Sequence, residues 1–414
     1  MSEKFIKNYF IFIFSLIPIS IIIGSAISAI NIVIIILSFL IYIFYEKNWK
    51  WIYRIEIKLI LAICIYLIFN SLISQDISIG LIRNLGFVRF LILFVAFNFF
   101  FWKFKDFNKF LYVWMTCLIV VSLDVYYESY FGQNILGYGG DWFAGGRKVS
   151  FFKDEPIVGS FINSFYLVIL GFVLHKKTDE KFNIKILGIL ISLLFIAAIL
   201  LSGERSNLIK AFIGTFFFFT FCKNYSFNQK IYSFLILIVL LFTMITSSEY
   251  LRGRFYTNFI DNFTSKENIN NFIKKNVYSR IYNSGYEVFK DNPIIGVGNK
   301  NFRVIACQKD NIKINPKYFC NSHPHQVYLE FLSEHGIIGS GILFIIFFSL
   351  FFKNINKIIQ SRNSIQIGSL IYLVLVFTPL IPSGSFFNSY SLTIFWINLS
   401  ILYASDKSTN IFSS

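Results

Sequence analysis

Apolar residues fall along this chain in long uninterrupted runs separated by short polar connections. That is not the alternating or amphipathic patterning of a water-soluble core. Runs near residues 9–23, 27–45, 59–73, 79–102, 110–131, 156–175, 184–201, 206–222, 231–247, 326–352, 366–382 and 389–403 each read as a membrane-crossing helix. The pattern predicts an all-α, polytopic integral membrane protein of about 12 transmembrane helices. Residues 1–414 make one transmembrane domain, and residues 248–325 form a long loop inserted between helices 9 and 10. The first run follows Lys4 and Lys7 as a signal peptide would, but a second run follows at once, so a retained anchor is expected.

Composition agrees, since a chain of 414 residues that is 56% hydrophobic and 14% charged is too apolar for a soluble multidomain protein. The net charge of +16 would suit nucleic acid, but its placement excludes that. Basic residues are spread through short connections: Lys47, Lys50, Arg54 and Lys58; Lys103, Lys105 and Lys109; Lys176, Lys177, Lys181 and Lys185; Lys223 and Lys230; Lys353, Lys357 and Arg362. With a cytoplasmic N-terminus these are the inward connections, the positive-inside pattern, and both termini are then cytoplasmic. No soluble basic domain remains to grip a duplex. The outer loop 248–324 still holds twelve Lys/Arg against six Asp/Glu, and the connection 132–155 holds Arg147, Lys148 and Lys153. An anionic ligand on the outer face would account for that excess.

The one long stretch that suits neither lipid nor a plain linker is 279–341, where chemistry is expected. Arg280 opens an amphipathic helix there, and residues 293–298 read Pro-Ile-Ile-Gly-Val-Gly, a turn whose glycines permit backbone geometry other residues resist. His323-Pro324-His325 precedes a helix expected to stop at Gly336, which puts His325 beside the N-terminus, where the helix dipole disfavours imidazolium. His335 reads as a cation near that helix's C-terminus, and Glu330 and Glu334 share a face on which they orient His325 or pair with a loop cation. Cys307 and Cys320 fall together in the outer loop and are predicted to be bonded, the alternative being two free thiols. Cys64, Cys117 and Cys222 read as apolar fillers. His323 and His325 invite a metal, but no further Cys, His or Asp completes a site, so none is expected. Arg83 and Arg89, six apart in the fourth run, reach one ligand only if the helix bends near Gly86. Arg205 at the outer end of the seventh run reads by position alone as an arginine snorkelling to the interface.

The stretches RIYNSGYEVFKDNPIIGVGNKNF and HPHQVYLEFLSEHGIIG, with LLSGERSNLIKAF upstream, resemble the bacterial O-antigen ligase and O-antigen polymerase superfamily over residues 200–341. The resemblance implies a membrane glycosyltransferase that needs no cofactor. Arg205 and Arg280 would clamp the diphosphate of an undecaprenyl-pyrophosphate-linked glycan donor, and His325 would be the general base activating an acceptor hydroxyl. Arg83, Arg89, His323 and Gln326 are the further candidates for substrate binding. The family usually has Asn after the catalytic His; Gln326 keeps an amide but moves it by one methylene. The implied setting is the bacterial inner membrane among membrane lipids, with the active site facing the periplasm and a lipid A-core sugar as acceptor. A polymerase joining two lipid-linked glycans, a protein-directed oligosaccharyltransferase, and a transporter or flippase of lipid-linked glycans are the alternatives.

Overall fold

The computed structural model describes residues 2–140, 145–175, 181–257 and 276–413. Lys176 and Lys177 of the third basic connection, and residues 258–275 of the inserted loop, lie outside the described residues. The fold is all-helical, 76% helix with no strand among the described residues.

Chain order runs α1 Glu3–Ser15, α2 Ile17–Ile23, α3 Ser25–Glu46, α4 Ile55–Leu72, α5 Ile77–Leu85, α6 Val88–Lys103 and α7 Phe110–Phe131. It continues with α8 Val158–His175, α9 Lys181–Ser202, α10 Arg205–Phe221, α11 Phe227–Ser247 and the short α12 Glu249–Arg252. In the inserted loop lie α13 Val277–Asp291, α14 Phe302–Cys307 and α15 Lys309–Ile314. The chain closes with α16 Val327–Phe352, α17 Ile355–Ser361, α18 Ser364–Val376 and α19 Ser389–Ala404. Local sequence sets several starts: Asp76, Asn276 and Asn388 each accept a first-turn N–H with their side chains, and Ser226 with Gln229 forms a capping box on α11.

A helix stands at each of the twelve predicted positions, but among the described residues nine segments are long and apolar enough to cross a membrane. The other three, α10, α18 and α19, have 17, 13 and 16 residues. The run 366–382 stops early because Thr378 precedes Pro379, and the residue before proline is pushed out of helical geometry. The fourth run is broken at Gly86 and Phe87, which separate α5 from α6. Helix α8 is the hub: 89% of its apolar window is buried, and it packs on α9 and α18. The phenylalanines fill the core; Phe14 meets Phe97 at 4.6 Å, and Phe331 meets Phe386 at 5.2 Å.

Hydrogen bonds sort the connections onto two faces. On one, Lys353 Nζ reaches Glu56 Oε1 at 2.6 Å, Lys103 reaches Glu46 at 3.1 Å, and Asn224 Nδ2 donates to Leu174 O at 2.8 Å. The other face joins the connections after α4, α7, α9, α12 and α18. There Lys148 N donates to Ser202 O at 3.1 Å, Arg254 Nε to Gly203 O at 2.6 Å, Gln75 N to Val297 O at 3.1 Å and Ser383 N to His325 O at 2.8 Å.

Gly336 does not end its helix. It lies inside α16 at φ 63° and ψ −171°, and the helix resumes to Phe352. The break frees two carbonyls and two N–H groups, and the Pro293–Gly298 turn takes all four. Val297 N donates to Ser333 O at 3.0 Å and Gly298 N to Glu334 O at 2.8 Å, while Ile337 N donates to Pro293 O at 2.8 Å and Ile338 N to Ile294 O at 3.2 Å. His335, expected as a cation at a helix end, is instead fully buried at the kink with Nδ1 3.2 Å from the Tyr66 hydroxyl. The helix continues past it, so no terminus is there for its charge to complement.

Only glycine adopts the Gly336 geometry readily, and a Cβ there would stand 2.3 Å from Ile294 O. Gly336→Ala is expected to cost roughly 1–3 kcal/mol from backbone strain, before counting the clash. Thermal unfolding of detergent-purified protein measures it, and an unchanged midpoint would show that the turn and kink are not coupled.

Candidate functional site

His325 sits one residue ahead of the Gln326 N-cap of α16, in left-handed geometry at φ 55°. Gln326 caps the helix through its own side chain, which accepts Leu329 N at 2.8 Å. Two bonds fix His325 to the α18–α19 connection: Ser383 N donates to His325 O at 2.8 Å, and His325 Nδ1 lies 3.2 Å from Ser383 O. A carbonyl oxygen can only accept, so Nδ1 carries the proton and Nε2 is left with its lone pair. Burial pushes the His325 imidazole below its ordinary value, against the opposing pull of the Ser383 hydrogen bond and the Glu330 charge. The His323 ring packs at a tilt with its centroid 3.9 Å away; burial and then the neighbouring His325 and Lys300 push it down to about 3. Both rings are therefore neutral near pH 7.

Beneath His325 a buried polar network holds the Ser383 segment. Ser385 Oγ donates to Glu330 Oε1 at 2.5 Å and Phe386 N to Glu330 Oε2 at 2.8 Å. Lys300 Nζ bonds Ser385 Oγ and stands 3.7 Å from Glu330 Oε1, while Lys300 N donates to Glu334 Oε2 at 2.8 Å. The paired carboxylates thus meet a loop cation, and Glu330 bears on His325 through Ser385 and Ser383.

Arg205 is the first residue of α10 and is exposed. It acts electrostatically, together with Arg147, on both Tyr250 and Arg254. Burial lowers the Arg254 guanidinium, with Tyr250 opposing and the like charges of Arg205 and Arg147 adding to the effect. Lys148 Nζ lies 5.7 Å over the Tyr250 ring. Four cations therefore gather about the Ser202–Arg205 turn. The adjacent Glu204 accepts Gly159 N at 2.6 Å, Ser160 N at 3.1 Å and Asn207 Nδ2 at 2.7 Å; burial pushes it up to about 7. Tyr278 connects this cluster to the histidines: its phenol acts on Arg254, and its ring meets His325 edge-on at 5.7 Å. Arg280 follows two residues on, with its guanidinium 4.1 Å over Phe319. Phe319 is held by Ser284 and stands next to Cys320, which is bonded to Cys307. Among the described residues neither Arg205 nor Arg280 forms a salt bridge.

Arg83 and Arg89 flank the α5–α6 break. Arg83 is exposed, and Arg89 Nη2 donates to Ser389 Oγ at 3.4 Å. No hydrogen bond, ion pair or ring contact joins either to His325 among the described residues. Sequence reasoning missed Arg147, Arg254, Tyr250, Tyr278, Lys300 and Ser383 as members of the site. Arg147, Arg254 and Lys300 left a trace only as members of the basic excess on the face where few such residues are expected. Among the described residues no group of three or more His, Cys, Asp or Glu side chains could hold a metal.

Fold and site together define a multi-pass membrane protein with a cation-rich, histidine-bearing centre built from the connections at one face. Residues 190–345 match the family model described as O-antigen ligase, which supports placing the chain in the O-antigen ligase-like superfamily. The matched segment includes Arg205, Arg254, Arg280, Lys300 and His325. No curated protein matches the chain.

Removing one partner of a buried ion pair strands the other, so Lys300→Met is expected to cost roughly 3–5 kcal/mol. Adding Glu330→Gln, which removes the stranded charge but keeps an acceptor for Ser385, should recover part of it. Identical unfolding midpoints for wild type and Lys300→Met would remove the pair from any role in holding the site.

Proposed function

We propose that the chain is an inner-membrane glycosyltransferase of the O-antigen ligase type, crossing the bilayer twelve times with both termini cytoplasmic. Residues 248–325 are then a periplasmic insertion of a single transmembrane domain. The basic connections gather on one face and the candidate site on the other, as the positive-inside rule would have them.

The donor is a glycan on undecaprenyl pyrophosphate and the acceptor a lipid A-core sugar hydroxyl. The observation that carries this reading is the neutral His325, whose Nδ1 is taken by the Ser383 carbonyl so that Nε2 keeps its lone pair, on the same face as Arg205 and Arg280, neither of which forms a salt bridge among the described residues. In the proposed step the acceptor hydroxyl gives its proton to His325 Nε2 and its oxygen attacks the anomeric carbon. The glycosidic C–O bond breaks with its electron pair leaving on the diphosphate. Attack from the side opposite the leaving group inverts the anomeric centre. Arg205 and Arg280 neutralise the charge that develops on the diphosphate, the kind of stabilisation that is usually the largest catalytic term. Arg83 and Arg89 contact lipid-borne substrate at the α5–α6 break, and His323 and Gln326 support His325. A polymerase would run the same step with a second lipid-linked glycan as acceptor.

Reconstitution with purified lipid-linked glycan and either lipid A-core or a second lipid-linked glycan tests the reaction; no product with either would favour transport. His325→Ala should lower transfer by roughly 10²–10⁴-fold, the usual contribution of a general base. Undiminished transfer by correctly inserted protein would remove the base. Arg280→Lys keeps the charge but loses the fork, so a loss of about tenfold or more is expected, in line with one charge-assisted hydrogen bond. Because His325 is held below its ordinary value of 6.5 and must be neutral to act, kcat/KM should fall only as pH drops through that lowered value. An acid limb centred above pH 6.5 would contradict the assignment.

A further inference from the structure

On the side of the molecule where α5 and α6 meet, a second pocket lies around Arg89, away from the reacting groups at His325. It is a cavity of about 270 Å³ bounded by the α2–α3 junction, Arg89, the Phe152–Glu155 segment and Tyr390. Arg89 and Lys153 are the cations of its lining. The Nε of Arg89 is buried without a hydrogen-bond partner, and the Nη2 contact to Ser389 is long at 3.4 Å. Facing it, Ser25 and Ser28 bring the first turn of the 22-residue α3, whose N-cap Gly24 provides no side-chain acceptor. Uncapped N–H groups at the positive end of a long helix attract an anion toward the same space. Lys153 also lines the cavity, as do the exposed Asp154 and Glu155, and neither acid forms a salt bridge with Arg89 among the described residues.

The pocket does not end in polar groups. Ile22 is shared with an adjoining crevice of about 410 Å³ between α2 and α7, walled by Ile19, Val113, Thr116, Cys117, Val120 and Phe151. From Val113 to Val120 the helix advances about 10 Å, enough for roughly eight methylenes of an extended chain. An anion-seeking pocket that shares a wall residue with an apolar slot suits an amphiphile better than a soluble ion.

We propose that this pair of cavities binds a phosphate-bearing membrane lipid, with the phosphate between Arg89 and the N-terminus of α3 and one chain in the α2–α7 crevice. This inference stands whether or not the transfer reaction does. The lipid would lie behind a thin wall from the Arg205 cluster: Tyr390, which lines the cavity, places its hydroxyl 3.5 Å from Ser160 Oγ, and Ser160 N is bonded to Glu204.

Native mass spectrometry of the full chain in detergent tests the site, with phosphatidylglycerol, dioleoylglycerol and inorganic phosphate as probes. Wild type should retain phosphatidylglycerol over dioleoylglycerol, and Arg89→Ala should lower that retention about tenfold, with Arg89→Lys between the two. Ser25→Asp places an acid in the first turn of α3, where it favours the helix but repels phosphate, so it should expel the lipid without lowering the unfolding midpoint. Thr116→Trp, which fills the crevice, should also reduce retention, and millimolar inorganic phosphate should not displace the lipid. Full retention by both Arg89→Ala and Ser25→Asp, or equal binding of dioleoylglycerol, would overturn the phosphate site. Displacement by inorganic phosphate alone would overturn the role of the crevice.

Discussion

Four backbone hydrogen bonds between the Pro293–Gly298 turn and the Gly336 kink of α16 hold the site together. A helix interior offers no free donors or acceptors; its N–H and C=O groups are paired within it. Gly336 at φ 63° interrupts that pairing, and the turn, itself bent by Gly296 at φ 69° and Gly298 at φ 98°, fits into the gap. Neither element could be buried with its polar groups unpaired, since each would cost about 1–3 kcal/mol. Each therefore requires the other.

From this interlock the rest of the centre is placed. Residues 299–301, which follow the turn directly, reach back to the third and fourth predicted spans: Asn299 N donates to Asn70 Oδ1 at 2.7 Å and Asp76 N to Asn301 Oδ1 at 2.7 Å. Between them Lys300 is delivered to Ser385 and Glu330, and that contact fixes the Ser383 carbonyl that orients His325. The disulfide and the small core of Val288, Val297, Phe302, Ala306 and Tyr318 keep the described part of the insertion rigid enough for α13 to carry Tyr278 and Arg280. Backbone pairing thus becomes tautomer control on an imidazole.

Hydropathy made the helices legible because burial in lipid demands unbroken apolar runs, and the two-faced sorting of connections was legible from charge. The interruptions were not. A glycine such as Gly86 or Gly336 reads alike whether the chain stops, kinks or runs on, and only a partner brought from a distance decides. His335 shows this well: next to a glycine it resembled a helix end, yet the kink turns it inward against Tyr66. Lys300 was one of twelve cations in the loop, and nothing local marks it as the one to be buried. The PIIGVG turn, the cysteine pair and the histidine at a helix start could be read directly, since each carries its geometry in its own few residues.

The distribution of acids explains why Arg205, Arg254 and Arg280 form no salt bridge among the described residues. Glu128 and Glu204 lie beside the cluster, close enough to neutralise it. Glu128 instead accepts Val149 N at 3.1 Å and Ser150 N at 2.7 Å, and Glu204 accepts Gly159 N and Ser160 N. The carboxylates nearest the arginines are engaged in pinning backbone. Arg254 is held by the Gly203 carbonyl and Arg280 by the face of Phe319, neutral partners that orient a guanidinium without cancelling its charge. Like charges gathered this way repel one another, and an arrangement so costly to the empty protein is relieved by whatever anion binds. For the diphosphate donor proposed above, the relief would be greatest while the diphosphate gains charge, as its bond to the sugar breaks.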